Sequence, residues 1–262
     1  MRKANMITRK PAGPIPSSVL LFSGGMDSLC LAFLEKPDVL LYVPSNSNCY
    51  GVQEDLCIRQ LAEQNDFIRD RLQALSPQTL NLSPYERDDL IIPNRNAHLV
   101  LLASNYGDNI MLAAMQGDRS TDKDETFCKL MTALLDHMWS EQHWTHQRSF
   151  RITLPGKSIT KTQLVSRFLL ESGESSELLF TSFSCYSPTD EGKHCGICKP
   201  CARKRVALAN NGIEIPNGYF AQPFWETEWW QLTFPVISRG MWRGAEDLDF
   251  LKFAKEHLDS TF

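Results

Sequence analysis

The apolar residues of this chain fall into short runs that are separated by polar turns. Residues 18–22 and 39–43 are mostly apolar runs with the length of buried strands, and residues 109–115 form another. The shorter stretch at residues 80–82 is the candidate for a further strand, the third in chain order. Short apolar runs bounded by turn residues predict the strands of a buried sheet.

Stretches with helical spacing lie between these candidate strands. Residues 29–35 predict a first helix, and residues 96–107 predict a mostly buried helix that is closed by Gly107. Thr160, with Gln163 three residues later, fits a capping box and predicts a helix start. A long helix is predicted after the second strand, with a buried face formed by Cys57, Leu61, Ile68, Leu72 and Leu75.

The alternation of strands and helices predicts both the fold class and the place of a ligand site. The expected class is α/β, with a doubly wound parallel sheet that carries helices on both faces. Ligands of such sheets bind at the carboxyl ends of the strands. Three polar clusters fall at those ends, at residues 23–28, 45–50 and 118–124.

Composition and charge exclude several classes of protein. The chain has 262 residues and a formal net charge of −4, which argues against nucleic-acid binding through bulk electrostatics. It contains no run of about 18 apolar residues that would predict a membrane span. Residues 1–17 are basic at first and then rich in proline and serine, so we expect a loose N-terminal arm on a cytoplasmic protein rather than a signal peptide.

The rest of the chain divides by composition into two segments. Residues 18–213 hold the predicted sheet and the candidate chemistry. Residues 214–262, the C-terminal extension, are rich in aromatic residues and include four of the six tryptophans. We expect this extension to add to the core or to form a homodimer interface, with a docking surface for a partner protein as the functional alternative.

The stretch from Ser23 to Ser28 joins two glycines, an acid and two hydroxyl groups directly after the first strand. Gly24 and Gly25 allow the backbone to come close to a ligand. A helix that starts near Asp27 presents free amides and a positive dipole end, which favour phosphate, and Asp27 can help to hold Mg²⁺. The structural alternative is a plain strand-to-helix turn. The stretch lacks the Lys-Ser/Thr pair of a Walker A loop.

Four of the eight cysteines cluster within residues 185–201. Their spacing lets four thiolates surround one ion, so a structural zinc site is predicted for this segment. An iron–sulfur cluster is an alternative, because two-residue gaps between cysteines also occur in ferredoxins, and free core cysteines are another. The four candidate ligands are Cys185, Cys195, Cys198 and Cys201.

Taken together, these stretches resemble a known family. The turn at residues 23–28 resembles the pyrophosphate loop (PP-loop) of the ATP pyrophosphatase superfamily, a HUP-like fold whose members cleave ATP between the α- and β-phosphates. The order of the remaining motifs resembles the 7-cyano-7-deazaguanine synthase family of queuosine biosynthesis. In chain order, the matching stretches are Ser23–Ser28, Pro93–Asn96, Thr160–Lys161, Ser184–Tyr186 and Cys195–Cys201.

This resemblance implies a C–N bond-forming ligase that adenylates 7-carboxy-7-deazaguanine with ATP and Mg²⁺, releases pyrophosphate, and uses ammonia to form an amide and then a nitrile. It implies that ATP is bound by Ser23, Gly24, Gly25, Asp27 and Ser28. Catalytic roles at the phosphates fall to Asp27, Arg95 and Lys161. The residues expected to bind the substrate are Tyr50, Asn96, Asp118 and Asp124.

The sequence also departs from the family pattern at three places. After Cys201 the arginine comes one place early, at Arg203. Residues 49–54 lack the expected basic residue and histidine, and residues 122–127 keep only the aspartate and the phenylalanine. The ATP side of the site therefore matches the pattern, whereas the substrate side differs from it.

Three other functions remain open from the sequence. A repurposed relative, of the kind encoded in phages or antiviral defence clusters, would join the activated deazaguanine to an amine of a partner protein. A tRNA-modifying relative would need a basic RNA-binding surface and catalytic cysteines. A nucleotide sensor would bind ATP without releasing pyrophosphate.

Overall fold

A five-stranded parallel sheet forms the centre of the computed structural model, which describes residues 17–258. The predicted N-terminal arm lies outside the described residues, apart from Ser17. The spatial order is β3-β2-β1-β4-β5, and every neighbouring pair is parallel. Strands are therefore added on one side of β1 up to β3 and on its other side from β4 onward. The boundary between β1 and β4 is the place where such folds open a ligand crevice. The strands are β1 Ser18–Leu21, β2 Val39–Tyr42, β3 Leu72–Ala74, β4 Asn109–Met111 and β5 Arg151–Thr153.

Helices follow or precede each strand and cover the sheet. Those of the first part of the chain are α1 Met26–Glu35, α2 Gly51–Gln64, α3 Asp66–Arg71, α4 Arg95–Ala103 and α5 Glu125–Met138. The later ones are α6 Lys161–Glu171, α7 Glu177–Thr181, α8 Lys199–Asn210, α9 Glu228–Ile237 and α10 Ala245–His257. Over residues 17–258, no helix has the length and apolar character that crossing a membrane requires.

Both faces of the sheet are buried, which confirms the prediction of a doubly wound α/β fold. Neighbouring residues on a strand point to opposite faces, so Leu20 of β1 packs in the cluster that includes α1 and α6, while Val19 packs with α4 and α5. Leu40 and Leu41 of β2 divide in the same way. Strands buried on both faces read as continuous apolar runs, as seen in this sequence.

The third strand lies at residues 72–74, so its prediction at residues 80–82 is wrong. The predicted long helix is also wrong, because it divides at Asn65. The Asn65 side chain accepts a hydrogen bond from the Ile68 amide and caps a second helix, α3. Leu72 then becomes extended and pairs with Leu40 in β3, where it is half-buried.

Two other element ends differ from the sequence prediction. Helix α4 ends at Ala103, not at Gly107, because Ser104 folds back and donates its hydroxyl to the Leu101 carbonyl at 2.7 Å. Strand β4 ends at Met111 instead of continuing to residue 115. By contrast, the capping box at the start of α6 is confirmed, because the side chains of Thr160 and Gln163 each bond the other's backbone amide.

The C-terminal extension packs on the main domain through its aromatic residues. Trp230 is fully buried and lies in one cluster with Phe224 and Phe250. The same cluster includes Ala202 and Val206 of α8, and α10 contacts both α8 and α6. The described part of the extension, residues 214–258, thus lies beside the helices that border the sheet.

Candidate functional site

A cavity of about 610 Å³ opens at the carboxyl ends of the strands. Ser23 follows β1, Ser45 and Tyr50 follow β2, and Asp118 follows β4; all four line this cavity. The three polar clusters that the sequence places at strand ends therefore meet around one space. Its volume falls within the range of ordinary ligand pockets, about 300–1,000 Å³.

The turn between β1 and α1 is held tightly against the rest of the protein. Gly24 has φ +71°, and an added Cβ would lie 3.0 Å from the Cys57 sulfur. Its carbonyl accepts hydrogen bonds from the Phe183 amide at 3.0 Å and from the Cys57 thiol at 3.3 Å. A side chain has no space here, so glycine is required for the turn. Gly24 itself faces this packing, whereas Gly25 lines the cavity.

The first turn of α1 carries the polar groups that the sequence identifies as phosphate ligands. Gly25 is the N-cap residue and supplies no side chain, so the amides that follow are capped by other means. Ser184 accepts a hydrogen bond from the Met26 amide at 3.2 Å. The Ser28 hydroxyl donates to the Gly25 carbonyl at 3.0 Å and lies 3.3 Å from the Ser23 hydroxyl. A helix start with amides and hydroxyls beside a cavity suits an anion.

Lys161 and Asp27 form an ion pair at the edge of this turn. The lysine is the first residue of α6, and its Nζ lies 2.5 Å from Oδ1 of the aspartate. The lysine is buried, the aspartate is only partly buried, and both line the cavity. Two predicted catalytic residues, 134 positions apart in sequence, are therefore adjacent in space.

A second group of residues lies at the end of β2. Arg95, the first residue of α4, donates from Nη1 to the Tyr50 hydroxyl at 3.2 Å. The rings of Tyr50 and Tyr186 are 5.8 Å apart. Burial acts to lower the pKa of Arg95, but Tyr50 and Glu54 outweigh burial and raise it. Arg95, the second of the two predicted cations, therefore lines the same cavity as Lys161 but contacts the residues that follow β2.

Glu54 is a residue of this group that the sequence prediction missed. It lines the cavity, and its Oε2 accepts a weak hydrogen bond from the Ser45 hydroxyl at 3.4 Å. Removal of the carboxylate from water raises the pKa of Glu54 to about 7, against the opposing charge of Arg95. The only indication in the sequence was that this position falls where the family pattern changes.

Two predicted substrate residues make contacts within the protein. Asn96 lines the cavity and donates its side-chain amide to Asp122 at 2.8 Å. Asp124 is the N-cap of α5 and accepts from the Phe127 amide at 2.7 Å. Because Asp124 serves as this cap and is not among the residues that line the cavity, the structure does not bring it together with the other predicted site residues.

Asp118 contacts two arginines that the sequence did not assign to the site. Its Oδ1 accepts from Arg203 Nη1 at 3.0 Å and from Arg243 Nη2 at 2.7 Å. Both arginines line the cavity. Burial acts to raise the pKa of Asp118, but the charges of Arg203 and Lys123 outweigh burial and hold this pKa well below its usual range. No local pattern shows these contacts, because Arg243 lies 125 positions from Asp118.

The arginine that follows Cys201 one place early is therefore a cavity residue. The next position, Lys204, is fully buried and donates from Nζ to the Ser182 carbonyl and the Tyr219 hydroxyl, both at 2.6 Å. Burial lowers the pKa of Lys204 to about 7. Arg203 therefore lines the cavity, whereas the neighbouring Lys204 forms hydrogen bonds inside the core.

The four clustered cysteines form a group that fits a tetrahedral metal. Their sulfur atoms lie within 4.8 Å of one another, and two of the sulfur pairs are 4.0 Å apart. A zinc ion with bonds of 2.3 Å needs sulfurs about 3.8 Å apart. The Cys195 and Cys198 amides also donate to the Cys185 and Cys195 sulfurs, which favours thiolates. The geometry thus supports one ion with four sulfur ligands.

This fold and cavity define a class, the doubly wound α/β proteins that hold an anionic ligand at the crossover of the sheet. Comparison with known proteins narrows the class. The family model for queuosine biosynthesis protein QueC matches residues 64–212. The chain belongs to the QueC family.

Individual relatives agree with this assignment. A 7-cyano-7-deazaguanine synthase of Chlorobaculum tepidum is 27% identical over 234 residues, which cover 79% of this chain and 97% of the relative. The enzyme of the same name from Chlorobaculum parvum shows the same identity and coverage. A third, from Syntrophotalea carbinolica, is 37% identical over 73 residues, covering 28% of this chain and 30% of the relative. The likeness is therefore distant over most of the chain and higher in one part.

Proposed function

We propose that this protein uses ATP to adenylate the carboxylate of 7-carboxy-7-deazaguanine, or of a close analogue, and then forms a C–N bond. Family membership and the names of the relatives support this substrate. The observation that carries the proposal is the Asp27–Lys161 pair beside the first turn of α1, in a cavity at the sheet crossover. An anion bound at this turn would therefore lie next to a cation.

The proposed first step follows from these groups. A carboxylate oxygen of the substrate attacks the α-phosphorus of ATP, the bond to the β-phosphate breaks, and pyrophosphate leaves. Free amides at the start of α1, with Ser23 and Ser28, hold the departing phosphates. Lys161 neutralises charge that develops on the phosphate oxygens. Asp27 would hold Mg²⁺, which supplies further positive charge to the phosphates when bound.

The nitrogen step takes place on the resulting acyl adenylate. Ammonia attacks the acyl carbon, loses a proton, and displaces AMP to give the amide. The amide oxygen then attacks the α-phosphorus of a second ATP and a second pyrophosphate leaves; loss of AMP and the two amide protons then gives a nitrile. We assign Arg95 to the acyl phosphate, because its guanidinium lies in the cavity and presents several donors to an anion.

Glu54 is our candidate for recognition of the base. A guanine-type ring presents an N1–H and an exocyclic amine as adjacent donors, and a carboxylate can accept from both. Glu54 lies in the cavity, and within residues 17–258 its carboxylate accepts a single weak hydrogen bond, from Ser45. Tyr50 and Tyr186 stand beside it with rings that can pack on a flat base. The segment that departs from the family pattern would then still serve the substrate.

Zinc is proposed as a structural ion in this enzyme. Four cysteine ligands fill a tetrahedral site and leave no position for a reactant. Cys185, one of the four, directly follows Ser184, whose hydroxyl accepts a hydrogen bond from Met26 in the turn between β1 and α1. An ion bound by Cys185 would therefore help to hold Ser184 against this turn. No disulfide joins the cysteines of the described residues, which agrees with a cytoplasmic location, where ATP is available.

The test is incubation of the purified protein with 7-carboxy-7-deazaguanine, ATP, Mg²⁺ and ammonium, followed by mass spectrometry and measurement of pyrophosphate. We expect an amide or nitrile product with AMP and pyrophosphate. Asp27→Ala and Ser28→Ala should abolish pyrophosphate release, whereas Asp70→Ala, at an exposed aspartate of α3, should not change it. Unchanged turnover in the first two variants would reject the assignment of the turn.

Other outcomes would replace the proposal with a specific alternative. A mass shift on a partner protein, without a small-molecule product, would indicate joining of the activated base to an amine of that partner. Retention of tRNA on a filter, with modification of the tRNA, would indicate a tRNA-modifying enzyme. ATP binding without pyrophosphate release would indicate a sensor.

A further inference from the structure

Two arginines and two carboxylates form a closed ring at the wall of the cavity. Asp118 Oδ1 accepts from Arg203 Nη1 at 3.0 Å and from Arg243 Nη2 at 2.7 Å. On the other side, Glu246 Oε1 accepts from Arg203 Nε at 2.6 Å, and its Oε2 accepts from Arg243 Nε at 2.7 Å. Each carboxylate therefore bridges both guanidinium groups, and the two cations are held side by side.

Contacts to the backbone of Arg243 hold this second arginine of the ring in place. The Asp247 carboxylate accepts from the Trp242 and Arg243 amides, both at 2.9 Å. The Arg243 carbonyl also lies so close to Gly117 that a Cβ there would approach it to 2.8 Å. Arg243 and Glu246 both belong to the C-terminal extension, beyond residue 212, where the family-model match ends. The extension therefore contributes side chains to the cavity.

The charge around the cavity favours an anionic ligand. Its lining includes seven basic and five acidic residues, whereas the whole chain carries a net charge of −4. Within the ring the two charges of each sign balance, yet the ring does not use every donor. Arg203 Nη2 is buried and has no hydrogen-bond partner among the described residues. A guanidinium held by two of its nitrogens can still bind an oxyanion.

The ring lies on the phosphate side of the cavity. Asp118 follows β4, which pairs with β1, and the turn at residues 23–28 follows β1, whereas Tyr50 and Glu54 follow β2 on the other side of β1. Within residues 17–258, neither Arg203 nor Arg243 forms a hydrogen bond with Tyr50 or Glu54 of the proposed base site. This strand order indicates the polyphosphate rather than the base as the group beside the ring.

We propose that Arg243 of the C-terminal extension, paired with Arg203 by Asp118 and Glu246, binds the polyphosphate of the nucleotide, so that the extension completes the ATP site. The inference rests on the proposed function in taking ATP as the ligand. It adds a residue from a segment that no motif assigned to the site.

Calorimetric titration of the full chain with ATP, inorganic pyrophosphate and AMP tests this inference. Arg243→Ala should weaken binding of ATP and pyrophosphate about 10- to 100-fold, because a charged hydrogen-bonding group is lost. Binding of AMP, which lacks the β- and γ-phosphates, should change less than about twofold. Arg239→Ala is the matched control, since Arg239 is an exposed arginine of the same extension, and it should bind all three ligands as the wild type does.

The ligand comparison separates a binding role from a structural one. Equal weakening of all three ligands, or unchanged pyrophosphate affinity in a folded Arg243→Ala variant, would overturn the inference. If that variant does not fold, Arg243→Lys, which keeps the charge but not the two-sided bridge, provides the same comparison and should show a smaller selective loss. Wild-type protein that binds neither ATP nor pyrophosphate would reject the proposed function itself, a result distinct from normal ATP binding by the variants.

Discussion

Lys161 and Asp27 lie in the first turns of two different helices and meet in one ion pair, with Nζ 2.5 Å from Oδ1. Helix α6 starts at the lysine because Thr160 and Gln163 cap it there, and α1 starts next to the aspartate because the glycines turn the chain. The pair is mostly removed from water, where unpaired charges are costly. Two local sequence patterns thus produce one long-range contact at the cavity.

Lys161→Met should nearly abolish adenylation. Loss of a preorganised cation at a developing negative charge typically reduces kcat about 10²- to 10³-fold. Pyrophosphate release under saturating ATP measures this effect. Lys129→Ala, at an exposed lysine of α5, should retain wild-type rates. A Lys161→Met enzyme with normal kcat would show that the lysine only stabilises the fold.

The cysteine group should bind one zinc ion per chain. Cys201→Ala removes a fully buried ligand, so we expect loss of the metal and a lower melting temperature, measured by elemental analysis and thermal unfolding. Cys49→Ala, which changes an exposed free cysteine, should keep the full zinc content. Iron together with inorganic sulfide in the purified protein would contradict zinc and support a cluster.

Glu54 should make stability depend on pH. Its pKa is raised from 4.5 to about 7, so the folded protein binds more protons than the unfolded chain between these values. Stability from this group is therefore complete below about pH 4.5 and is lost as the pH rises through about 7. Relative to Glu54→Gln, the wild type should lose up to about 3 kcal/mol between pH 4.5 and 8.

Urea unfolding at several pH values measures this difference. Glu63→Gln is the control, because Glu63 is an exposed residue on the same helix and should follow the wild-type curve. Parallel stability curves for the wild type and Glu54→Gln would show that Glu54 is ionised throughout and would contradict the prediction.

Trp230→Ala should release the C-terminal extension. The indole is fully buried among aromatic rings that join the extension to α8, and its removal should cost about 3–5 kcal/mol. Denaturant unfolding measures the loss. Leu232→Ala, at a leucine that is 69% exposed on the same helix, should change stability by less than about 0.5 kcal/mol. Similar effects of the two substitutions would contradict the packing described for this cluster.

The features predicted correctly from the sequence depend on neighbouring residues. The turn at Gly24, the capping box at Thr160 and the cysteine cluster are each set by residues within about 20 positions, so their patterns are visible in the chain. The alternation of apolar runs likewise predicted the doubly wound sheet. Leu72 was misplaced because a residue spaced for a helical face can equally lie on a strand after a break at Asn65.

The features that were missed depend on distant residues. Arg243 meets Asp118 only because the extension folds back over α8, and no local pattern encodes that path. Asp124 is an acidic residue of a polar loop, which suggested a ligand-binding role. Its position immediately before α5 makes it a helix cap instead. In both cases an acidic residue that follows β4, Asp118 or Asp124, bonds to another group of the protein.

The bridged arginine pair also has a consequence for protein synthesis. The ring draws on Asp118, Arg203, Arg243 and Glu246, so it cannot form until the ribosome has translated the chain through residue 246. During translation, the sheet and the glycine turn can fold while half of this ring is still missing. A nascent chain at that stage would hold Arg203 and Asp118 without their later partners, and the cavity would acquire its final charge only after residue 246 has been added.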